Sequence, residues 1–198
     1  MSKVVAFLSV TIDGVMQAPG RPDEDTRGGF RHGGWAGPYA DHVIQGLAGE
    51  GSSSTGAMLF GRRTYEDFHR VWANASGNPF TEILNNTPKY VASRSMREPL
   101  PWQNSTLLAG DAVEAVAKLR GQEGRDILIL GSGELVRSLL PTGQVDRFIL
   151  LIHPLVLGSG QRLFDDGLAF ADLRLRDTRT STTGVIIATY DVASAKPA

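Results

Sequence analysis

A glycine turn between two apolar segments is the first feature of this sequence that could do chemistry. Four aliphatic residues, 127–130, precede Gly131-Ser132-Gly133, and apolar residues at helical spacing follow until Pro141. Such an aliphatic run is typical of a strand buried on both faces. Free backbone N–H groups at a helix start, together with the helix dipole, favour a phosphate there. The alternative is a turn that only joins strand to helix, since a single Gly-x-Gly is common.

Arginines follow two other predicted strands. Arg62 and Arg63, with Thr64, come directly after the apolar residues 57–60, and Ser93 and Arg94 end a later strand. The planar guanidinium group suits phosphate oxygens, and a threonine hydroxyl adds a donor. Two phosphate-type sites and a third arginine point to a dinucleotide with an extra phosphate, and therefore to NADPH rather than NADH. For the adjacent arginines alone, a solvated surface pair is the alternative.

The elements that must position these residues alternate between strand and helix for most of the chain. The predicted strands are 4–10, 57–60, 89–92, 105–108, 127–130, 147–152, 173–180 and 185–192, and the predicted helices are 38–48, a segment after Arg62, 80–84, 112–119 and 135–140. This order predicts an α/β fold with a largely parallel sheet and antiparallel C-terminal strands. Ligands of such sheets bind beyond the carboxyl ends of strands. No repeat or internal boundary is visible, so we expect one domain over 1–198.

A long polar segment separates the first predicted strand from the first helix. Residues 17–37 are rich in glycine and charge, and carry Phe30 and Trp35 as possible anchors. We expect a mobile surface loop. Loops of this length in compact domains are usually either functional or disordered. The composition does not choose between the two.

Bulk composition excludes several function classes. The chain has 198 residues and a net charge of −1, so no global basic field argues for nucleic acid. The absence of cysteine excludes disulfides, thiol nucleophiles and thiolate metal sites. The four histidines lack metal-ligand spacing, so we expect no metal. No apolar run is long enough for a membrane span, and the first residues do not form a signal peptide, so we expect a cytoplasmic protein.

Four motifs, in this order, resemble the dihydrofolate reductase superfamily. The most similar branch contains the C-terminal reductase domain of the bifunctional riboflavin-biosynthesis enzyme and many small stand-alone relatives. The motifs are 9–14, similar to the family's "Ser-Leu-Asp-Gly" turn; 61–66, similar to its Gly-Arg-x-Thr cofactor motif; 131–133, similar to its glycine pair; and the ending 145–164. The resemblance covers nearly the whole chain.

The resemblance implies a mainly parallel eight-stranded sheet flanked by helices, with NADPH as hydride donor. It implies these cofactor-binding residues: Ser9, Val10, Gly61, Arg62, Arg63, Thr64, Ser93, Arg94, Gly131, Ser132, Gly133, Glu134 and Leu135. Arg62 or Arg63 would meet the 2′-phosphate, and Thr64 the pyrophosphate. Residues 131–135 would cradle the phosphates from the opposite side. Ser93 and Arg94 would border the adenosine end, and Ser9 and Val10 the nicotinamide.

The sequence indicates the substrate-binding and proton-donating residues less clearly than the cofactor-binding ones. Dihydrofolate reductases carry a carboxylic acid on the first helix, and Asp41 is the nearest counterpart here. A buried acid in an apolar cleft would have a raised pKa and could donate a proton. Asp41 could equally stabilise the helix dipole. Glu50 and the acids 23–25 are weaker candidates, and the latter more simply solvate a loop.

The sequence therefore predicts an NADPH-dependent reductase that transfers a hydride to a small heterocyclic or ribosylaminopyrimidine-like substrate. The alternatives are a true dihydrofolate reductase and a non-catalytic nucleotide-binding protein. These 198 residues show no resemblance to the deaminase half of the riboflavin enzyme. The apolar strand 148–152 and the closing strands suggest a homodimer, as in riboflavin-type relatives, although a buried core strand explains the same residues.

Overall fold

The fold is built on one twisted sheet of eight strands. The computed structural model describes residues 1–52, 54–122, 124–165 and 170–195. The strands are β1 (Val4–Thr11), β2 (Thr55–Gly61), β3 (Lys89–Ser93), β4 (Ser105–Ala109), β5 (Asp126–Leu130), β6 (Arg147–His153), β7 (Ala171–Thr180) and β8 (Ile186–Ala195). Each predicted strand is present, with bounds that differ by at most three residues.

The strand order across the sheet is β4-β3-β2-β5-β1-β6-β8-β7. The first six strands in this order pair in parallel, whereas β8 runs antiparallel to both β6 and β7. The predicted α/β class, with a mainly parallel sheet and antiparallel C-terminal strands, is confirmed. Strand β6 lies inside the sheet, so core burial explains its apolar residues.

Helices cover both faces of the sheet. They are α1 (His42–Ser52), α2 (Arg62–Trp72), α3 (Pro79–Asn86), α4 (Ala112–Gln122) and α5 (Gly133–Leu139). Strand β1 shows how the layers are separated, because successive side chains point to opposite faces. Its residues Val4, Ala6, Leu8 and Val10 join the core under α4 and α5. Phe7 instead packs with the residues under α1, α2 and α3.

Helix α1 differs most from its prediction. It begins at His42 rather than Pro38, because 37–39 form a separate 3-10 turn with Pro38 near its start. At its other end it continues to Ser52, through part of the segment 49–56 that we predicted as a connector. Strand β8 likewise extends through Ala195 into the predicted tail 193–198, whose last three residues lie outside the described ones.

The segment 17–37 is a loop, as predicted, and both of its proposed anchors are buried. Phe30 and Trp35 are each 7% exposed and pack with Val15 and Ala18. The indole Nε1–H of Trp35 donates to the carbonyl of Gln17 at 2.7 Å. The loop is therefore held on the body of the protein by its second half.

Candidate functional site

A cleft of about 1180 Å³ opens at the carboxyl ends of the central strands. Its floor comes from Phe7–Ser9 of β1, and its walls from the segments that follow β2, β3 and β5. These three strands end at the same edge because they run in parallel. This is the position at which open α/β sheets bind ligands.

The glycine turn after β5 forms one wall of the cleft. Gly131 and Ser132 both have left-handed backbone conformations, with φ of 58° and 50°. A Cβ atom on Gly133 would lie 1.9 Å from the sulfur of Met16, so the turn packs against the segment after β1 without room for a side chain. The Ser132 hydroxyl accepts the N–H of Gly61 at 3.0 Å. That hydrogen bond ties the carboxyl ends of β2 and β5 together.

The arginines predicted to bind phosphate start helix α2 on the opposite wall. Arg63 forms an ion pair with Glu134 at 3.0 Å, across the cleft from the glycine turn. Arg62 is paired more loosely with Glu66, at 3.4 Å. Arg94 lies further along the cleft, is highly exposed, and has Asp111 at 3.7 Å. Guanidinium groups thus reach the cleft from two strand ends.

The structure brings nearly all predicted cofactor residues to this one cleft. The lining includes Ser9, Gly61, Arg62, Arg63, Thr64, Ser93, Arg94, Gly131, Ser132, Gly133, Glu134 and Leu135. Val10 does not line it. Because side chains alternate along a strand, Val10 points to the face opposite Ser9 and is buried in the core under α4 and α5.

Asp41 does not meet the requirements of a buried proton donor. One of its carboxylate oxygens accepts the N–H of Ile44 at 2.9 Å, which caps helix α1. The other oxygen accepts the backbone N–H and the hydroxyl of Thr182, at 2.6 and 2.7 Å. The Ile44 N–H, followed by these Thr182 bonds, lowers the pKa of Asp41 to about 2. The helix-stabilising alternative therefore fits, and the expected raised pKa is wrong. Glu50 has a side chain outside the described part of the structure.

The first half of the 17–37 loop lies along the cleft, which the sequence did not indicate. Arg21 forms a bidentate ion pair with Asp67 of α2, at 2.5 and 3.2 Å. Arg27 pairs with Glu134 of α5 at 2.9 Å. The loop is thus attached to both walls, and its residues 23–27 become part of the lining.

Among the residues that the structure describes, seven carboxylate side chains line the cleft, and six of them belong to ion pairs. The paired ones are Asp23, Asp25, Glu66, Asp67, Asp111 and Glu134. Among the described residues, Glu24 alone of the seven has no Lys or Arg partner within ion-pair distance. Burial raises the pKa of Glu24, and this outweighs the N–H groups of Gly20 and Arg21 that it accepts. The sequence alone makes 23–25 look like three equivalent loop acids, so it did not predict that Glu24 differs from Asp23 and Asp25 in having no ion-pair partner among the described residues.

The other end of the same sheet edge is closed. There the side chain of His153, at the end of β6, packs edge-on against Trp35 and Tyr39, with ring centroids 5.1 and 5.5 Å apart. His153 is 2% exposed, and neither ring nitrogen has a hydrogen-bond partner within the described residues. Desolvation lowers its pKa to about 4, so the ring is neutral at pH 7. We refer to Trp35, Tyr39 and His153 as the closed end.

The turn after β1 connects two of the sequence motifs. Asp13 accepts the backbone N–H groups of Leu157 and Gly158, at 3.2 and 2.9 Å, and the Thr11 hydroxyl at 2.6 Å. The Thr11 hydrogen bond, helped by the two N–H groups, lowers the pKa of Asp13. The 9–14 and 145–164 motifs therefore support each other structurally at the base of the loop.

Two further findings concern ions and membranes. Over residues 1–52, 54–122, 124–165 and 170–195, no group of three His, Asp or Glu side chains is arranged to hold a metal ion. Within the same ranges, none of the helices has both the length and the apolar character that crossing a membrane requires.

Comparison with known proteins identifies the family. Residues 2–187 match the model of the RibD C-terminal domain. The chain belongs to the RibD C-terminal domain family. It is also 33% identical over 139 residues to the protein YyaP of Bacillus subtilis (strain 168), which covers 67% of this chain and 72% of that protein.

Solved structures share the RibD C-terminal domain fold. A pyrimidine reductase-like protein from Corynebacterium diphtheriae has a TM-score of 0.66 at 16% identity, covering 98% of this chain and 92% of that one. A diaminohydroxyphosphoribosylaminopyrimidine deaminase/5-amino-6-(5-phosphoribosylamino)uracil reductase from Thermotoga maritima has a TM-score of 0.63 at 14% identity. This match covers 97% of this chain but 57% of that longer one. The resemblance inferred from the four motifs is confirmed at the level of family and fold.

Proposed function

We propose that this protein is an NADPH-dependent reductase acting on a small heterocyclic or ribosylaminopyrimidine-like substrate. The observation that carries the proposal is the cleft itself, where a glycine turn and a pair of arginines face each other at the carboxyl ends of β5 and β2. Membership of the RibD C-terminal domain family supports the same activity.

The residues of the cleft suit a dinucleotide phosphate. The N–H of Gly131 is bonded to the Phe7 carbonyl at 3.0 Å, and Met16 fills the space beside Gly133, so the N–H groups that would meet a phosphate are those at the start of α5. Arg62 and Arg63 provide charged donors opposite this turn. Glu134 already binds Arg63, so a phosphate would share or replace that carboxylate at the guanidinium.

We propose the following roles for the residues of the cleft, in line with the family resemblance. The nicotinamide, when bound, supplies the hydride. Arg62 or Arg63 would hold the 2′-phosphate, Thr64 and 131–135 the pyrophosphate, and Ser93 with Arg94 the adenosine end. Ser9, on the floor of the cleft, would contact the nicotinamide, and Val10 would support it only from the core behind. The protein's contribution is to orient the ring and exclude water around it.

The proposed substrate class is supported by the descriptions of proteins with similar structures. The Thermotoga maritima protein of the same fold carries a uracil reductase activity in its name, and the protein from Corynebacterium diphtheriae is described as pyrimidine reductase-like. A true dihydrofolate reductase is less well supported, because Asp41 caps a helix and is ionised at neutral pH.

Titration with NADPH and NADH tests the proposal directly. Enhanced NADPH fluorescence with saturable binding, followed by oxidation when 5-amino-6-(5-phosphoribosylamino)uracil is added, is the expected result. Dihydrofolate replaces that substrate in a parallel assay. Turnover of dihydrofolate alone would favour the hypothesis of a true dihydrofolate reductase. NADPH binding without oxidation in both assays would favour a non-catalytic nucleotide-binding protein.

Other expectations remain predictions. We propose a homodimer, for which the edge strand β7 offers the exposed side chain of Leu175, 53% accessible. One domain over 1–198 and a cytoplasmic location are proposed on the composition and order of the elements.

A further inference from the structure

We propose that Glu24 is the proton donor of the reaction. This inference rests on the proposed reductase function and names a catalytic residue for it. Glu24 lies in the first half of the 17–37 loop and lines the cleft together with Ser9 and the phosphate-binding segments.

The charge environment distinguishes Glu24 from the other acids of the cleft. Each of the six paired carboxylates has an arginine within ion-pair distance. The charged groups that face Glu24 are Arg21 of its own loop and Asp67 of α2. The Arg21 guanidinium forms its bidentate ion pair with Asp67 and not with Glu24. Glu24 is left without a cationic partner among the described residues.

The geometry fixes the carboxyl group while leaving one oxygen available. Oε2 accepts the backbone N–H of Gly20 at 2.6 Å and of Arg21 at 3.2 Å. A Cβ atom on Gly20 would lie 3.0 Å from Oε2, so glycine at this position permits the side chain to fold back onto the loop. Oε1 makes no hydrogen bond with the described residues and can carry the proton. Partial burial raises the pKa of the carboxyl, which favours that protonated form.

The step balances as a hydride and a proton added across one double bond. The hydride, with its electron pair, leaves the nicotinamide and forms a C–H bond at the carbon of a C=N or C=O group. The π electrons of that group move to the nitrogen or oxygen, which takes the proton from Oε1 of Glu24. The substrate is reduced, the nicotinamide is oxidised, and Glu24 becomes a carboxylate that solvent reprotonates. General acid catalysis of this kind contributes about 10²- to 10⁴-fold.

The test uses two substitutions and one matched control. Glu24→Gln keeps an oxygen that can accept both N–H groups but cannot deliver an acidic proton, and Glu24→Asp keeps the acid on a shorter side chain. Glu82→Gln, the control, removes an exposed acid of α3 that does not line the cleft. We expect Glu24→Gln to lower the single-turnover rate of NADPH oxidation with 5-amino-6-(5-phosphoribosylamino)uracil by at least about 100-fold. The NADPH affinity of Glu24→Gln should stay within about twofold of the wild type, and Glu82→Gln should leave both quantities unchanged.

Two readouts separate catalysis from structure. The pH profile of the turnover rate should lose its alkaline decline in Glu24→Gln, because that decline reports loss of the donor proton, and should retain it in Glu24→Asp. Independently of any substrate, the infrared carboxyl band that disappears in Glu24→Gln should titrate above the ordinary glutamic acid value of about 4.3 in the wild type.

Each contrary outcome has a distinct meaning. A Glu24→Gln variant with wild-type turnover and pH profile, or a Glu24 carboxyl that titrates at its ordinary value, overturns the inference and leaves the reductase proposal intact. A wild-type protein that does not bind NADPH, or binds it without oxidising it, overturns the proposed function, and the role of Glu24 falls with it.

Discussion

One edge of the sheet carries two regions of opposite character. The cleft, beyond β2 and β5, is open and lined by ion pairs, with guanidinium groups and a glycine turn facing each other. The closed end, beyond β6, is filled by Trp35, Tyr39 and a neutral His153 that is 2% exposed. The carboxyl ends of parallel strands could bind a ligand at both places. The loop 17–37 leaves the cleft open and fills the closed end.

The two halves of that loop act differently because their side chains differ. Residues 19–27 are mostly charged and join the walls of the cleft through pairs such as Arg21 with Asp67. Phe30 and Trp35 are buried against Val15 and Ala18, and Trp35 also packs on His153 at the closed end. The loop therefore leaves one part of the edge accessible to a ligand and fills the other.

Truncation at the closed end should give the largest effect. Trp35→Ala removes a buried aromatic ring and should lower the free energy of unfolding by about 3–5 kcal/mol, as measured by urea denaturation. Trp35→Phe, which retains most of the ring but loses the hydrogen bond to Gln17, is the matched control and should cost less. Where the variants remain folded, NADPH affinity should stay near that of the wild type. Loss of NADPH binding in a stably folded Trp35→Phe variant would contradict the claim that the closed end and the cleft act independently.

The burial of His153 should make stability fall in acid. The unfolded state takes up a proton near the ordinary pKa of 6.5, whereas the folded state resists it until the pKa of about 4. The contribution of His153 is therefore fully present above pH 6.5 and is lost as the pH falls from about 6.5 to 4. The loss should reach about 3 kcal/mol, since each pH unit in this window is worth about 1.4 kcal/mol.

Urea denaturation of the wild type and of His153→Leu between pH 4 and pH 7.5 measures the contribution of His153 to the free energy of unfolding. The difference between the two curves should vary by that amount over this pH range. Parallel curves for wild type and His153→Leu would show that His153 is accessible to protons in the folded protein.

A smaller, more specific effect is expected in the cleft. Arg62→Ala and Arg63→Ala, made separately, test which of the two arginines contacts the 2′-phosphate. Loss of that charged contact should cost about 1.5–3 kcal/mol of NADPH binding, roughly a tenfold to hundredfold weaker affinity, without weakening NADH. Arg174→Ala, on the exposed strand β7, should change neither. Calorimetric titration that gave equal losses for NADPH and NADH would place the arginines away from the 2′-phosphate.

The sequence predicted the sheet well because buried parallel strands are visible as short apolar runs bounded by glycine or charge. The strands that carry the cleft, β2 and β5, were recognisable for this reason, and so were the glycine turn and the arginines that follow them. The role of Val10 stays a prediction from the resemblance, and its side chain, unlike that of Ser9, lies on the face of β1 that is buried under α4 and α5.

What the sequence could not indicate depends on contacts between distant residues. Whether an acid at a helix start caps the helix or donates a proton depends on its neighbours. Asp41 accepts hydrogen bonds from Ile44 of its own helix and from Thr182, which is far along the chain. The acids 23–25 look alike in sequence. Arg70 and Arg27 pair with Asp23 and Asp25, whereas Glu24 remains unpaired among the described residues.

A crystal structure with NADP⁺ bound tests the central claim most directly. The account predicts phosphates against residues 61–64 and 131–135, the nicotinamide beside Ser9, and the packing of Trp35 on His153 unchanged. A cofactor that instead displaces Trp35 and occupies the closed end, or whose phosphates contact neither segment, would contradict it.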